Sequence, residues 1–258
     1  MKNNLYISAI KLTREIPKDN YLRSLPVIKN LRQQGEVTFD KPITFLVGEN
    51  GIGKSTLIEA IAVNFGFNPE GGTKNYNFHT KSSHSSLSDF ITLVKTYNYA
   101  KSGYFLRAES FYNTISYVDY LDEERNTDND YFQHIKVAET NDFSMHNMSH
   151  GESFLNAISE FKPNGLYILD EPEAALSPMG IMKLMSYMDA LVKKNCQFII
   201  STHSPMLMAM PNSDVYQLSK ENIEKVPFRE TEHYTLTRRF LENPDKMLKY
   251  LLDANDEQ

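Results

Sequence analysis

Gly48-Glu49-Asn50-Gly51-Ile52-Gly53-Lys54-Ser55 fits G-x-x-x-x-G-K-[ST], the spacing of a phosphate-binding loop. Just before it, Ile43-Thr44-Phe45-Leu46-Val47 reads as a short buried strand. Just after it, Thr56-Leu57-Ile58-Glu59-Ala60-Ile61-Ala62 reads as a helix. Strand, loop and helix form the context in which such a loop works. Glycines let the backbone curl until successive N–H groups point inward at phosphate oxygens. The helix start adds its positive dipole end. Lys54 then reaches the β- and γ-phosphates, and the Ser55 hydroxyl faces Mg2+. The ligand class expected is a nucleoside triphosphate with Mg2+.

The rest of the chain is compatible with one large domain. It has 258 residues, of which 41% are hydrophobic, enough to build a core. No apolar run approaches the length of a membrane span, and Met1-Lys2-Asn3-Asn4-Leu5-Tyr6 lacks the apolar core of a signal peptide. A cytoplasmic location is expected. The formal charge of −6 argues against a surface that is basic throughout. Cys196 is the single cysteine, so neither an internal disulfide nor a cysteine zinc cluster is available. It precedes the apolar Gln197-Phe198-Ile199-Ile200 stretch, which suits packing better than reactivity.

Strands are expected at 5–12, 36–39, 90–97 and 104–108, with a helix over 111–121. The serine-rich stretch 82–88 reads as a loop, and the polar stretch 122–147 as an exposed, mobile segment. Ser177-Pro178 opens a helix, with Ser at the N-cap and Pro at the first helical position. Its apolar positions are Ile181, Leu184, Met185, Met188, Leu191 and Val192. Residues 215–218 and 223–226 read as a hairpin, and 235–252 as a helix in two pieces, broken before Pro244. Strands alternating with helices, several of them wholly apolar, imply an α/β fold with a largely parallel sheet covered on both faces.

Three further segments carry chemistry. Leu166-Tyr167-Ile168-Leu169-Asp170-Glu171-Pro172 ends a buried strand in two acids, where ligands bind in open α/β sheets. Asp170 suits a magnesium anchor, and Glu171 is placed to polarise an attacking water. Met148-Ser149-His150-Gly151-Glu152 contains the capping box S-x-x-E, and a helix start is also a phosphate site. Ser201-Thr202-His203-Ser204-Pro205 follows the next apolar strand, which brings His203 toward the phosphates by chain order.

In this order the segments resemble the ATP-binding-cassette (ABC) ATPases, and most closely small predicted ATPases of the SMC-like branch. The nucleotide-binding set would be Gly48, Asn50, Gly51, Gly53, Lys54, Ser55 and Thr56, joined by Ser149 and Gly151 of the signature. Asp170 and Ser55 resemble the magnesium ligands, and Glu171 and His203 the catalytic Glu and switch His. Ala174-Ala175-Leu176-Ser177 occupies the D-loop. The stretch from Phe105 through Arg107 to Ser110 and the Thr231-Glu232-His233-Tyr234 stretch are also similar to that branch. The resemblance implies a P-loop NTPase of ABC type. Its largely parallel mixed sheet would be covered by helices, with a smaller helical lobe inserted at about 66–150 and ending in the signature. The chain departs at His150, where a Gly is usual, and at Ser177, where an Asp is usual. No Q-loop Gln is evident, and Glu109 is its substitute as a metal ligand. Lys11 and Arg14 become nucleotide contacts by analogy with SMC-like heads.

The function so implied is an ATPase that binds and hydrolyses Mg-ATP. Two copies would close head to tail on two ATP molecules and act on a partner protein or nucleic acid. The alternatives are the nucleotide-binding subunit of a membrane transporter, or an ATP sensor or scaffold with little turnover. A GTPase would require an Asn-Lys-x-Asp motif, which the chain lacks. The 66–148 stretch is too short, and too poor in heptads, for a long coiled coil.

Overall fold

The computed structural model describes residues 5–69, 71–72, 85–108 and 150–253. In chain order these form β1 (Ile7–Leu12), α1 (Pro26–Gln34), β2 (Glu36–Thr38), β3 (Ile43–Gly48) and α2 (Lys54–Phe65). Then come β4 (Ile91–Lys95), β5 (Ser102–Arg107), α3 (His150–Ser159), β6 (Gly165–Asp170) and α4 (Pro178–Val192). The last are β7 (Gln197–Ser201), α5 (Pro205–Met208), β8 (Ser213–Leu218), β9 (Ile223–Val226), α6 (Glu232–Glu242) and α7 (Pro244–Asp253).

Six strands form the main sheet in the order β5-β6-β7-β3-β8-β9. All neighbours run parallel except β8 and β9, which form the expected antiparallel hairpin. Every residue of β3, β6 and β7 is buried, because both sheet faces are covered. Alternate side chains therefore enter different cores. Ile43, Phe45 and Val47 pack with Phe154 of α3, Leu184 of α4 and Leu207 of α5. Leu46, Ile168 and Ile199 face the other way, toward Leu57, Ile58 and Ile61 of α2.

β1, β2 and β4 form a separate antiparallel sheet, order β2-β1-β4. The sequence shows these strands but not their separation from the main sheet. Partial alternation of apolar residues marks a strand without naming its partners. Gln197 fastens the two sheets together. Fully buried at the start of β7, its Oε1 accepts from the Tyr6 N–H (2.7 Å) and the Ile7 N–H (3.0 Å). Its Nε2 donates to the Ile7 carbonyl (2.8 Å).

Other expectations resolve locally. Ser177 caps α4, accepting from the Gly180 N–H, and Ile181, Leu184, Met188 and Leu191 are buried beneath it. The helix break before Pro244 separates α6 from α7. The serine-rich loop is corrected over Ser86–Asp89, which forms a 3-10 turn. Ser85 caps that turn and Leu87 is buried in it, so one apolar residue organises a segment whose composition reads as loop. Cys196 is buried, as expected for a packing residue. The expected helix at 111–121 and the polar segment at 122–147 lie outside the described residues. Among the described residues, no helix is long and apolar enough to cross a membrane.

Candidate nucleotide site

β3 delivers the loop to the carboxyl edge of the main sheet. Gly48 is required there by a close approach: a Cβ on it would stand 2.3 Å from the Leu218 carbonyl oxygen of β8. At the loop's far end Gly53 has φ 104°, and a Cβ would meet Val27 Cγ1 of α1 at 2.5 Å. Gly53 is also the N-cap of α2, and no side chain caps this helix start. Its first N–H groups therefore face the loop's concavity, an arrangement suited to an anion. Glu49, Asn50 and Gly51 are exposed along the loop, and Ser55 and Thr56 lie half-buried in the first turn of α2.

Lys54 is 4% exposed. Its Nζ turns back to donate to the carbonyls of Gly48 (2.7 Å) and Glu49 (3.0 Å). Burial lowers the Lys54 pKa, opposed by Glu171, Asp170 and Glu173, in that order. The charges of three acids thus favour the ammonium against the cost of its burial.

Asp170 ends β6. Its Oδ1 accepts from the Ser201 hydroxyl of neighbouring β7, and the nearby Ser55 hydroxyl also favours its charged form. Arg107, paired in register with Asp170 on β5, brings Nε to 3.5 Å from Oδ2. The same guanidinium donates to Glu59 Oε2 of α2 at 2.7 Å. Arg107 therefore ties the acidic strand to the helix that follows the loop. Burial raises the Asp170 pKa, against the contributions of Ser201 and Arg107.

Glu171 adopts a left-handed backbone, φ 50°, ψ 52°, unusual for a non-glycine residue. Its N–H donates to the Ser201 carbonyl (3.1 Å), and its side chain projects half-exposed. Oε1 lies 3.4 Å from His203 Nε2. The next acid, Glu173, accepts the His203 backbone N–H at 2.5 Å, and burial raises its pKa. On its other side, His203 places Nδ1 2.8 Å from His233 Nε2. Burial first, then Lys54, then His233 push the His203 pKa down to about 4, so its imidazole is neutral near pH 7. Burial and Lys54 lower His233 as well.

The structure thus gathers Gly48, Lys54, Ser55, Asp170, Glu171 and His203 from the ends of β3, β6 and β7 and the start of α2. Gly151 lies in the first turn of α3, where a Cβ would stand 3.1 Å from the Ala175 carbonyl oxygen, so the signature helix packs on the turn after Glu171. Ser149 and Glu109 lie outside the described residues. Lys11 pairs with Glu36 across β1 and β2 (2.8 Å), and the Arg14 backbone N–H donates to Phe90. Sequence reasoning assigned no role to Arg107, Ser201 or His233. Arg107 and His233 fall in stretches that resembled SMC-like ATPases, but no spacing rule links either residue to the loop.

The donors beside the loop are oxygen atoms, a hydroxyl and a carboxylate. That set fits Mg2+, which keeps several waters and takes one or two carboxylates plus phosphate oxygens. Among the described residues, no three His, Cys, Asp or Glu side chains form a cage for a metal held by protein alone.

The loop between β3 and α2, at the carboxyl edge of a largely parallel sheet, is that of a P-loop domain. The chain belongs to the RecF/RecN/SMC N-terminal domain family, whose model matches residues 24–225. It is similar to CbiO1 from Clostridium perfringens, part of the ABC transporter complex CbiONQ. The identity is 18%, with 96% of this chain and 99% of that one covered, at a TM-score of 0.48. It is also similar to the SMC head domain from Thermotoga maritima. There the identity is 15%, with 86% and 99% covered, at a TM-score of 0.43. No protein of curated function matches the chain.

Proposed function

We propose that this chain binds and hydrolyses Mg-ATP and works as a switch that dimerises on ATP, acting on a partner protein or nucleic acid. The observation that carries the reading is the convergence of the Lys54 ammonium, the Asp170 and Glu171 carboxylates and the neutral His203 around a loop with an uncapped helix start.

Each group has work to do. The Lys54 ammonium exchanges the Gly48 and Glu49 carbonyls for phosphate oxygens, so its present bonds hold it where it is needed. Ser55 and Asp170 would hold Mg2+, which would supply charge compensation for the phosphate oxygens. Ser201 keeps Asp170 oriented, and the Arg107 guanidinium lies beside it. The Glu171 carboxylate, half-exposed beyond the strand end, accepts a proton from the attacking water. His203 steadies that carboxylate through Nε2. Ser149 and Gly151 of a second copy would complete each site, with Gly48, Asn50, Gly51, Gly53 and Thr56 lining the first. Two equivalent sites suit a two-fold dimer. ATP then favours the closed state through its greater affinity for it.

The test is the solution mass of Glu171→Gln, measured by light scattering with and without Mg-ATP. The expected result is a monomer that becomes a dimer only with Mg-ATP, and that stays monomeric when Lys54→Ala is added. A mass indifferent to Mg-ATP, in a protein that binds it, would overturn the homodimer switch.

A further inference from the structure

His233 lies outside every motif that defines the site, yet its ring touches the switch histidine. It is the second residue of α6, and its place is fixed by the fold. Thr231, fully buried, caps α6 by accepting from the Tyr234 N–H, while its hydroxyl donates to the Phe228 carbonyl at 2.6 Å. The two imidazoles have centroids 4.9 Å apart and planes tilted by 57°, so they meet through their nitrogens rather than by stacking.

The protons on this pair follow from what lies beyond it. His203 turns Nε2 toward Glu171 Oε1 and Nδ1 toward His233 Nε2. A bare Nε2 facing a carboxylate oxygen sets lone pair against lone pair, whereas an Nε2–H facing it is attractive. A neutral His203 with its proton on Nε2 has an acceptor at Nδ1. Its neighbour at 2.8 Å must then be the donor, so His233 carries its own proton on Nε2. The charged groups around the pair are Lys54 from α2, Glu171 and Glu173 from the turn after β6, and Glu232 from α6. Lys54 disfavours a second positive charge there, which leaves tautomer choice as the property the contact controls.

We propose that His233 is a positioning residue whose Nε2–H, donated to His203 Nδ1, fixes the His203 proton on the nitrogen that faces Glu171. The start of α6 thereby sets the hydrogen-bond polarity of the catalytic pair. This inference rests on the ATPase reading for its consequence in turnover, but not for the tautomer itself.

Two substitutions separate donation from packing. Phe fills the space of the ring without a donor, and Gln presents an N–H at the reach of Nε2. His233→Phe is expected to lower kcat for ATP about 10-fold or more, with KM and the melting temperature near the parent's values. His233→Gln is expected to restore kcat to within about threefold. Parent-like turnover in the Phe variant, or a Gln variant as slow as Phe, would overturn the proposal. A second readout needs no turnover: the imidazole 15N spectrum of the nucleotide-free protein. The expected result is His203 as a single Nε2–H tautomer in the parent and a mixture of tautomers in His233→Phe. A His203 spectrum unchanged by the substitution would overturn the proposal even if the parent hydrolysed no ATP. A parent without turnover whose spectrum behaves as expected would instead count against the ATPase reading alone.

Discussion

Glu171 holds its carboxylate on a left-handed backbone that costs a non-glycine residue about 1–2 kcal/mol. The bond from its N–H to Ser201 offsets part of that cost and turns the side chain out of the strand toward His203. This geometry makes His203 the residue whose titration is most informative. Its pKa falls from the ordinary 6.5 to about 4 in the folded protein. As pH drops, the unfolded chain therefore takes up the proton first. The contribution of a neutral His203 to stability is intact above about pH 6.5 and is lost progressively toward pH 4. Asp170 and Glu173 act in the opposite sense, because burial raises their pKa values and acidification relieves their penalty. Comparison with His203→Gln cancels those acids. The melting temperature of the variant, taken relative to the parent, should rise between about pH 7 and about pH 4. A difference that stays constant across that window would mean that His203 is not held neutral by the fold.

At the scale of elements, the buried runs 43–47, 166–169 and 198–200 were legible because strands covered on both faces need no polar residues. The small sheet was not legible as a sheet of its own. Besides shared apolar packing and the Tyr216 hydroxyl that donates to the Thr38 carbonyl, an amide side chain joins it to the main sheet, and Gln197 reads in the sequence merely as the polar edge of an apolar strand. Its three bonds satisfy the N–H of Tyr6 and both backbone groups of Ile7, all held inside the protein. Gln197→Ala strands these groups without water, at about 1–3 kcal/mol for each unsatisfied one and with some recovery by relaxation. A loss of about 3 kcal/mol is expected in chemical denaturation, with the denaturant dependence unchanged. A loss below about 0.5 kcal/mol, the usual scale of a surface substitution, would show that the two sheets do not depend on this amide.

Across the whole molecule, the site draws on residues far apart in the chain. The loop, the acids and His203 could be found because each carries a local signal: glycine spacing, or an apolar run ending in polar residues. Arg107 and His233 carry none. Their roles arise only when β5 is laid beside β6 and α6 against the end of β7. The stretch 149–152 belongs to a third class, legible as a motif but, in the proposed dimer, given its use only by a second molecule. Gly151 packs beside the Ala175 carbonyl on the turn after Glu171, so the start of α3 and Glu171 belong to one stretch of structure. In the proposed dimer this stretch meets the nucleotide of the other copy. Ser149 immediately precedes α3. An arginine at this position of the sequence adds bulk and a positive charge. Placed in the Glu171→Gln background, Ser149→Arg should leave the affinity of one subunit for ATP within about twofold, because Lys54 and its loop supply that binding. It should abolish the rise in mass on adding Mg-ATP. ATP-driven dimerisation equal to that of Glu171→Gln alone would reduce the signature to a helix start and remove it from the interface.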